Sequence, residues 1–412
     1  MISSDYFNFK VLKQSTMSNA RLGLIHTPHG DVRTPAFIFC GTKANVKGIT
    51  PFQLHEAGTQ IILSNTYHLL LQPGIDVLRK AGGLQKFTGW NAPMFTDSGG
   101  FQIFCLGYGS VCSEIKGIKS APTRKTLLTV TEEGATFRSY LNGNKILLTP
   151  ELSIQAQIAF GADIIVCLDE CAPHHTSKMF TAEAMMRSKR WASRCLAELE
   201  RSGTGKQALS AVIQGGIYGD LRRESADFAN KNAFDCFAIG GSLGITKQQM
   251  FDITQMTCEM LDRKRHVHLL GIGGIPDIFN GVKCGIDTFD CVSPTRIARH
   301  GIALIKASEK EQSEYGLTKT SEQDPSTKKA NNININHSRF VGDTNPISFN
   351  CDCYTCKTVS RSYIHHLFRA DEMLGGQLIS LHNIRFMNKL MEDIRSAIAN
   401  DTLDKCQSEY LD

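Results

Sequence analysis

Apolar positions along the chain follow two regimes. Residues 8 to 34 alternate apolar and polar positions around a turn signal, Pro28-His29-Gly30-Asp31. That is the pattern of an antiparallel hairpin with one face covered. From Pro35 the alternation gives way to short unbroken apolar runs: PAFIF (35–39), TQIIL (59–63), PMFT (93–96), DIIVCL (163–168), LSAVIQ (209–214), CFAIG (236–240), VHLLG (267–271) and TFDCV (288–292). A parallel strand covered on both faces has no polar face, so its sequence reads this way. Helical stretches separate several of the runs. Thr149 and Pro150 supply an N-cap and a first-turn proline for one, and 181–199 and 246–261 carry helical periodicity. Eight such strands alternating with helices predict an α/β chain folded as a (β/α)8 TIM barrel over 35–305, capped by the hairpin at 1–34. A doubly wound open sheet is the competing arrangement, but no glycine-rich phosphate loop follows the first strand.

Three segments depart from an ideal barrel. Between Phe101 and Thr149 lies an enlarged connection, and near 126–149 the turn Leu141-Asn142-Gly143-Asn144 joins two strands of an inserted hairpin. Residues 306–331 are polar and charged, nearly without large apolar side chains, which predicts a flexible loop. Beyond it, 332–412 reads as a small metal-binding subdomain followed by helices.

Composition narrows the classes. With 412 residues, 42% of them hydrophobic, the chain has material for a large core. A net charge of +5 permits a polyanionic partner without arguing for one. No apolar stretch is long enough to span a membrane, and MISSDYFNFKVLKQS has no apolar leader segment, so the cytoplasm is the expected compartment. Fourteen cysteines in such a chain point to reduced thiols and a metal site rather than to a disulfide framework.

Active residues of such barrels sit at the C-terminal ends of the strands. Those ends carry Asp97, Asp169, Gln214, Gly240-Gly241, Gly271 and Asp290. Asp290 closes a buried run, and Arg296 and Arg299 follow it, three apart. An acid beside cations points to chemistry on a phosphate-bearing substrate, against the plainer reading of an ordinary salt bridge. Asp97 lies in Asp97-Ser98-Gly99-Gly100-Phe101, where glycines allow backbone to approach a ligand and Phe101 offers a face for stacking; a capped turn is the plain alternative. Two carboxylates flanking one anomeric carbon is the arrangement of retaining glycosyl transfer. Asp169, Gln214 and the Gly241 N–H together match the edge of guanine: an acceptor for its N–H groups and two donors for its carbonyl. Glu170, beside Asp169, has the plain reading of an ion pair with a nearby base.

Cys351-Asp-Cys353-Tyr-Thr-Cys356 is the most specific local signal, since three thiols in six residues wrap one tetrahedral ion. His382 is the preferred fourth ligand, with His337, His365 and His366 open on spacing alone. A redox pair is the alternative, disfavoured by the third thiol.

FTDSGGFQ, DEC, VIQGG, AIGG, GIGGIPD, FDCVSPTRIAR and CDCYTC with a later LHN, in this order over about Arg21 to Ile394, resemble the bacterial-type tRNA-guanine transglycosylases, the queuine tRNA-ribosyltransferase family. The resemblance implies a TIM barrel with a zinc subdomain, usually a homodimer. It implies a pentosyl transfer in queuosine formation, in which guanine at the wobble position of GUN-anticodon tRNAs (Asp, Asn, His, Tyr) is exchanged for a 7-deazaguanine. The expected incoming base is preQ1 (7-aminomethyl-7-deazaguanine), with queuine the alternative. Asp290 would be the nucleophile of a covalent ribosyl intermediate and Asp97 the general acid/base. Asp97 to Phe101, Asp169, Gln214, Gly240 and Gly241 would bind the base. Gly271, Ile272, Gly273, Gly274, Ile275, Pro276 and Asp277, with Thr295, Arg296, Ile297, Ala298 and Arg299, would hold the tRNA anticodon loop. One structural Zn2+ would bind Cys351, Cys353, Cys356 and His382; here the resemblance selects His382. One departure bears on the base: after AIGG the family continues with a small apolar run and then Gly-Glu, whereas this chain has Ser242-Leu243-Gly244-Ile245. Gly244 leaves more room there, enough on this reading to admit the bulkier queuine as the alternative base. A non-catalytic tRNA-binding partner subunit is the reading from another class; it would have lost one carboxylate, and both are present. A glycosidase with a structural zinc is more distant.

Overall fold

The computed structural model describes residues 6–102, 127–241, 243–309 and 331–412. At the N-terminus β1 (Asn8–Gln14), β2 (Arg21–Thr27) and β3 (Gly30–Thr34) form an antiparallel sheet. The expected hairpin is thus a three-stranded sheet. Its first strand carries a register shift between Val11 and Lys13.

Next come β4 (Ala36–Cys40), β5 (Ile62–Ser64) and β6 (Met94–Thr96) of the barrel. A second sheet follows, β7 (Leu127–Val130), β8 (Ala135–Arg138) and β9 (Lys145–Leu148), so the inserted hairpin also has a third strand. The barrel resumes with β10 (Ile164–Val166), β11 (Ala208–Ile213), β12 (Cys236–Ile239), β13 (His266–Leu269) and β14 (Thr288–Cys291). All eight expected strands pair in parallel, and β14 closes on β4 through Phe289↔Phe37 and Asp290↔Ile38. The fold is the expected TIM barrel.

Strand alternation divides the core in two. One set, including Ile38, Leu63, Phe95, Ile164, Val166, Val212 and Ala238, fills the lumen and packs on Phe7, Ile25 and Val32 of the cap. The alternate set, including Phe39, Ile165, Leu209, Ile213, Phe237, Leu269 and Phe289, faces the surrounding helices. Burial of each large apolar side chain contributes about 1.5–3 kcal/mol. Arg21, 2% exposed, ties cap to barrel: its Nε and Nη2 donate to the two oxygens of Asp287 at 2.8 and 2.6 Å.

Thr149 caps the helix Pro150–Phe160 by accepting from Leu152 N, and Thr246 caps Lys247–Met260 by accepting from Gln249 N. Pro294, after β14, lies in the first turn of a short helix, Ser293–Ala298. C-terminally, β15 (Ile302–Leu304) pairs antiparallel with β16 (Asn332–Asn334), and the helices Tyr354–Thr358 and Arg361–Arg369 follow. The long helix Met373–Ala399 serves both units. Its Ile384, Leu390 and Ile394 pack on the barrel shell, while Leu378 and Ile379 pack with Ile333, Phe340 and Ile364. Most of the polar stretch 306–331 and of the connection after Phe101 lies outside the described residues. No helix of the described residues is long and apolar enough to cross a membrane.

Candidate active site

Parallel strands bring their C-terminal ends to one rim, and there the expected carboxylates meet. Asp97, just past β6, is held by three donors: Thr66 N–H on Oδ1 at 2.8 Å, and Gln102 Nε2 at 2.6 Å and Asn65 Nδ2 on Oδ2. Burial pushes its pKa up, those hydrogen bonds oppose the shift, and the charge of Asp290 adds to it; the net direction is up. Such a carboxyl holds a proton more readily than an exposed aspartate.

Asp290 sits in β14 and is 8% exposed. Its Oδ1 accepts from Gly271 N–H at 2.7 Å and lies 3.1 Å from His268 Nε2. Cys40 Sγ is 3.5 Å from Oδ2, and burial together with the Asp290 charge pushes that thiol well up, so it stays an S–H donor. Arg296 and Arg299 are not the partners of Asp290. Both are exposed on and just after the helix Ser293–Ala298, and neither makes a salt bridge among the described residues.

Asp169 follows β10. It accepts from Gln214 Nε2 at 2.6 Å and from Ser98 Oγ at 3.3 Å, so the base-reading candidates form one unit. Burial nevertheless raises its pKa to about 6, with Asp97 adding to the rise. One N–H of Gln214 is used on Asp169, which leaves the other for a ligand. Gly241 lies against the same amide: a Cβ there would meet Gln214 Oε1 at 2.3 Å, and its φ is +79°. Gly240 is buried beneath, its carbonyl accepting from Arg222.

The glycines of the Asp97 run serve packing more than ligand approach. A Cβ on Gly100 would meet the Asp169 carbonyl oxygen at 2.6 Å, and its N–H is taken by Ser98 Oγ. A Cβ on Gly99 would press on Tyr67 N at 3.2 Å. Phe101 is 49% exposed and so free to present its ring at the rim. Glu170 follows its plain reading, pairing with Arg187 and accepting nothing from the site.

Only part of the expected tRNA track faces outward. Gly271, Gly274 and Pro276 are exposed, and Ile272 is half-buried. Gly273 packs on Phe37 and Cys291, Ile275 is in the core, and Asp277 is buried against Lys247 Nζ at 2.6 and 2.8 Å. Thr295 and Ala298 are buried and Ile297 is half-buried, which leaves Arg296 and Arg299 as the exposed members of that segment.

Several site residues carry little sequence signal. Arg222, fully buried, donates to the carbonyls of Ile213, Gly216 and Gly240 and thereby fixes both glycine loops. Its clue is an arginine sharing a helix face with Leu221, Ser225, Ala226 and Ala229. His268 hides inside an apolar run; the clue is its alternation with His266 in His266-Val267-His268. Asn65 and Gln102 are ordinary polar residues until the fold places them on Asp97.

Ligand atoms of Cys351, Cys353, Cys356 and His382 all lie within 4.8 Å of one another. His382 Nδ1 is 3.3 Å from Cys356 Sγ and 3.7 Å from Cys353 Sγ. Its Nε2 is 2.7 Å from the Leu304 carbonyl; donation there leaves the Nδ1 lone pair facing the thiols. Hydrogen bonds from the neighbouring thiols Cys351 and Cys356 pull the Cys353 pKa down. Three sulfurs and an imidazole converging in this way fit one tetrahedral ion. His365 lies outside this cluster, its Nδ1 meeting the Ile335 carbonyl at 2.7 Å. Next to His382, Asn383 donates to the Pro294 and Ile302 carbonyls and accepts from Leu304 N, so the helix that carries His382 also grips the turn behind Asp290.

The family described as Queuine tRNA-ribosyltransferase matches residues 15–412. The chain belongs to the queuine tRNA-ribosyltransferase family. Proteins of that name from Roseiflexus sp. (strain RS-1) and Protochlamydia amoebophila (strain UWE25) are 41% and 43% identical to it. The first match covers 98% of each chain and the second 97% of each. A relative of the same name from Thermoanaerobacter sp. (strain X514) is 41% identical over 98% of this chain and 96% of its own. Within the queuine tRNA-ribosyltransferase family, the loop after Gly241 is held here by an amide: Gln249 Oε1 accepts from Ile245 N at 3.1 Å. The same amide occupies the space that a Gly244 Cβ would need, at 2.4 Å. Glycine at 244 therefore serves the packing of loop on helix, and the extra room inferred there is already filled on that side.

Proposed function

We propose that this chain is a tRNA-guanine transglycosylase that exchanges guanine at the wobble position of GUN-anticodon tRNAs for preQ1. The observation that carries the reading is the pairing of Asp97 and Asp290 at one rim, with the Asp169–Gln214 unit beside Asp97. Family membership supplies the substrate class.

Asp290 attacks C1′ of the ribose and forms a covalent ribosyl ester while the C1′–N9 bond breaks. Asp97, whose pKa burial raises, supplies the proton taken up by the departing guanine. Asp169 accepts from the N–H edge of the base, and Gln214 with the Gly241 N–H donates to its carbonyl. A wobble base reaches this site only when flipped out of the anticodon loop, and Arg296 and Arg299 are placed to pair with the flanking phosphates. The incoming base enters the same pocket, returns a proton to Asp97 and displaces Asp290 from C1′. Cys351, Cys353, Cys356 and His382 would hold one Zn2+, which supplies folding stability to the subdomain and no chemistry at C1′. We extend the reading to a homodimer acting in the cytoplasm, on the strength of the resemblance.

Incorporation of labelled guanine into tRNA tests the activity: wild type active, Asp290→Ala inactive. Exchange measured separately with preQ1 and queuine tests the base. Turnover of queuine as fast as preQ1 would overturn the preference, which rests on the Gln249 amide filling the space beside Gly244.

A further inference from the structure

The lumen is apolar on most strands but polar along β13 and β14. His266, His268 and Thr288 form, with Asp290, a continuous buried line, and the proposed mechanism leaves the first three unused. His266 Nε2 lies 2.7 Å from Thr288 Oγ1, Thr288 Oγ1 lies 2.8 Å from His268 Nδ1, and His268 Nε2 lies 3.1 Å from Asp290 Oδ1. Phe95 packs on the His268 ring at 4.9 Å, and Phe9 meets His266 edge-on at 5.8 Å. Both imidazoles are fully buried.

We infer that His268 is a positioning residue for Asp290, fixing Oδ1 so that Oδ2 is the oxygen presented to the ribose. The inference rests on Asp290 being the nucleophile. An ionised carboxylate only accepts, so His268 must donate from Nε2. In the neutral ring its Nδ1 then carries a lone pair and accepts the Thr288 hydroxyl proton. Thr288 oxygen is thereby left to accept from His266 Nε2–H. The remaining atom, His266 Nδ1, is a lone pair, and it is the one nitrogen of the line without a hydrogen-bond partner. An unpaired ring nitrogen is tolerable there where an unpaired N–H would cost more. Burial, then His268 and Arg21, push the His266 pKa well down, which keeps that ring neutral.

Gly271 N–H and His268 Nε2–H both grip Oδ1, whereas among the described residues Oδ2 has only the Cys40 thiol at 3.5 Å. In the attack an Oδ2 lone pair forms the bond to C1′ as the C1′–N9 pair leaves with guanine, which takes the Asp97 proton. Oδ1 becomes the ester carbonyl oxygen and keeps both donors. Donors bind a carboxylate more strongly than an ester carbonyl, so they favour departure of Asp290 when the next base arrives.

The test compares wild type, His268→Gln, His268→Phe and Thr288→Val by kcat, KM for tRNA and the fraction of enzyme trapped as covalent adduct on denaturing gels. His268→Phe loses the donor, and kcat should fall about tenfold to a hundredfold, the range for one hydrogen bond to a charged group. KM should stay within about twofold and the trapped fraction should rise. His268→Gln, whose amide can donate from nearly the same place, should recover much of the rate. Equal impairment of the Gln and Phe variants would overturn the inference, and so would wild-type behaviour of both. If His268→Phe does not fold, Thr288→Val decides: it keeps the shape while releasing Nδ1, and an unchanged rate and adduct fraction overturns the inference. An active Asp290→Ala would instead sink the nucleophile reading itself. An inactive Asp290→Ala beside an unaffected His268→Phe would sink only this inference.

Discussion

Replacing Asp169 with asparagine should make the unliganded protein more stable while weakening its hold on the base. Burial lifts the Asp169 pKa from 3.8 to about 6 even though Gln214 and Ser98 donate to it. A rise of about two units corresponds to about 3 kcal/mol between the two protonation states. Because the folded pKa lies above the unfolded one, the favourable contribution is fully present below 3.8 and is lost as pH rises through about 6. At about pH 7.5 the charged carboxylate therefore costs the empty site about 3 kcal/mol. Asparagine carries no such charge. Urea unfolding should show Asp169→Asn more stable by up to that amount at about pH 7.5, with the difference shrinking below about pH 6 and vanishing near pH 4. Guanine binding, measured by calorimetry, should weaken about tenfold to a hundredfold as charge-assisted hydrogen bonds are lost. A stability difference independent of pH across this window would refute the reasoning. So would a less stable variant at neutral pH.

Arg21→Leu leaves Asp287 buried without its bidentate partner, so stability should fall by about 3–5 kcal/mol in denaturant titration. Gly241→Ala forces a Cβ to within 2.3 Å of Gln214 Oε1 and strains a φ of +79°; base affinity should drop with the far-UV spectrum unchanged. The chain should carry one metal ion by elemental analysis. A strong chelator, or Cys353→Ser, should lower the melting temperature through loss of the link between the Cys351–Cys356 segment and the helix Met373–Ala399.

The barrel was legible because buried parallel strands leave long apolar marks, and all eight runs became strands. Sheet edges were harder to read: β1 and β7, each with a register irregularity, were not separated as third strands from the hairpins expected at 1–34 and 126–149. At the site, the residues proposed to perform the chemistry at strand ends stood out as polar endings on apolar runs. Residues that support them did not. Arg222, Asn65 and Gln102 acquire their roles from long-range packing, with Asn65 lying 32 positions from the Asp97 it holds. His268 looks like a core histidine, which it is; only the register of β13 on β14 brings it to Asp290. The stretch 271–277 reads as one motif, yet the fold divides it. Gly271 gives its N–H to the Asp290 carboxylate, and Asp277 is a buried partner of Lys247. Sequence likewise reads Gly244 as an opening, because the Gln249 side chain that fills it comes from the following helix.

The central claim is that Asp290 becomes covalently bound to the ribose. Wild-type enzyme incubated with a GUN-anticodon tRNA and denatured without added base should yield a protein–tRNA adduct. Peptide mass mapping should place the ribosyl ester on Asp290, and Asp290→Asn should form no adduct. An adduct on any other residue, or full exchange by the Asp290→Asn protein, would contradict the account.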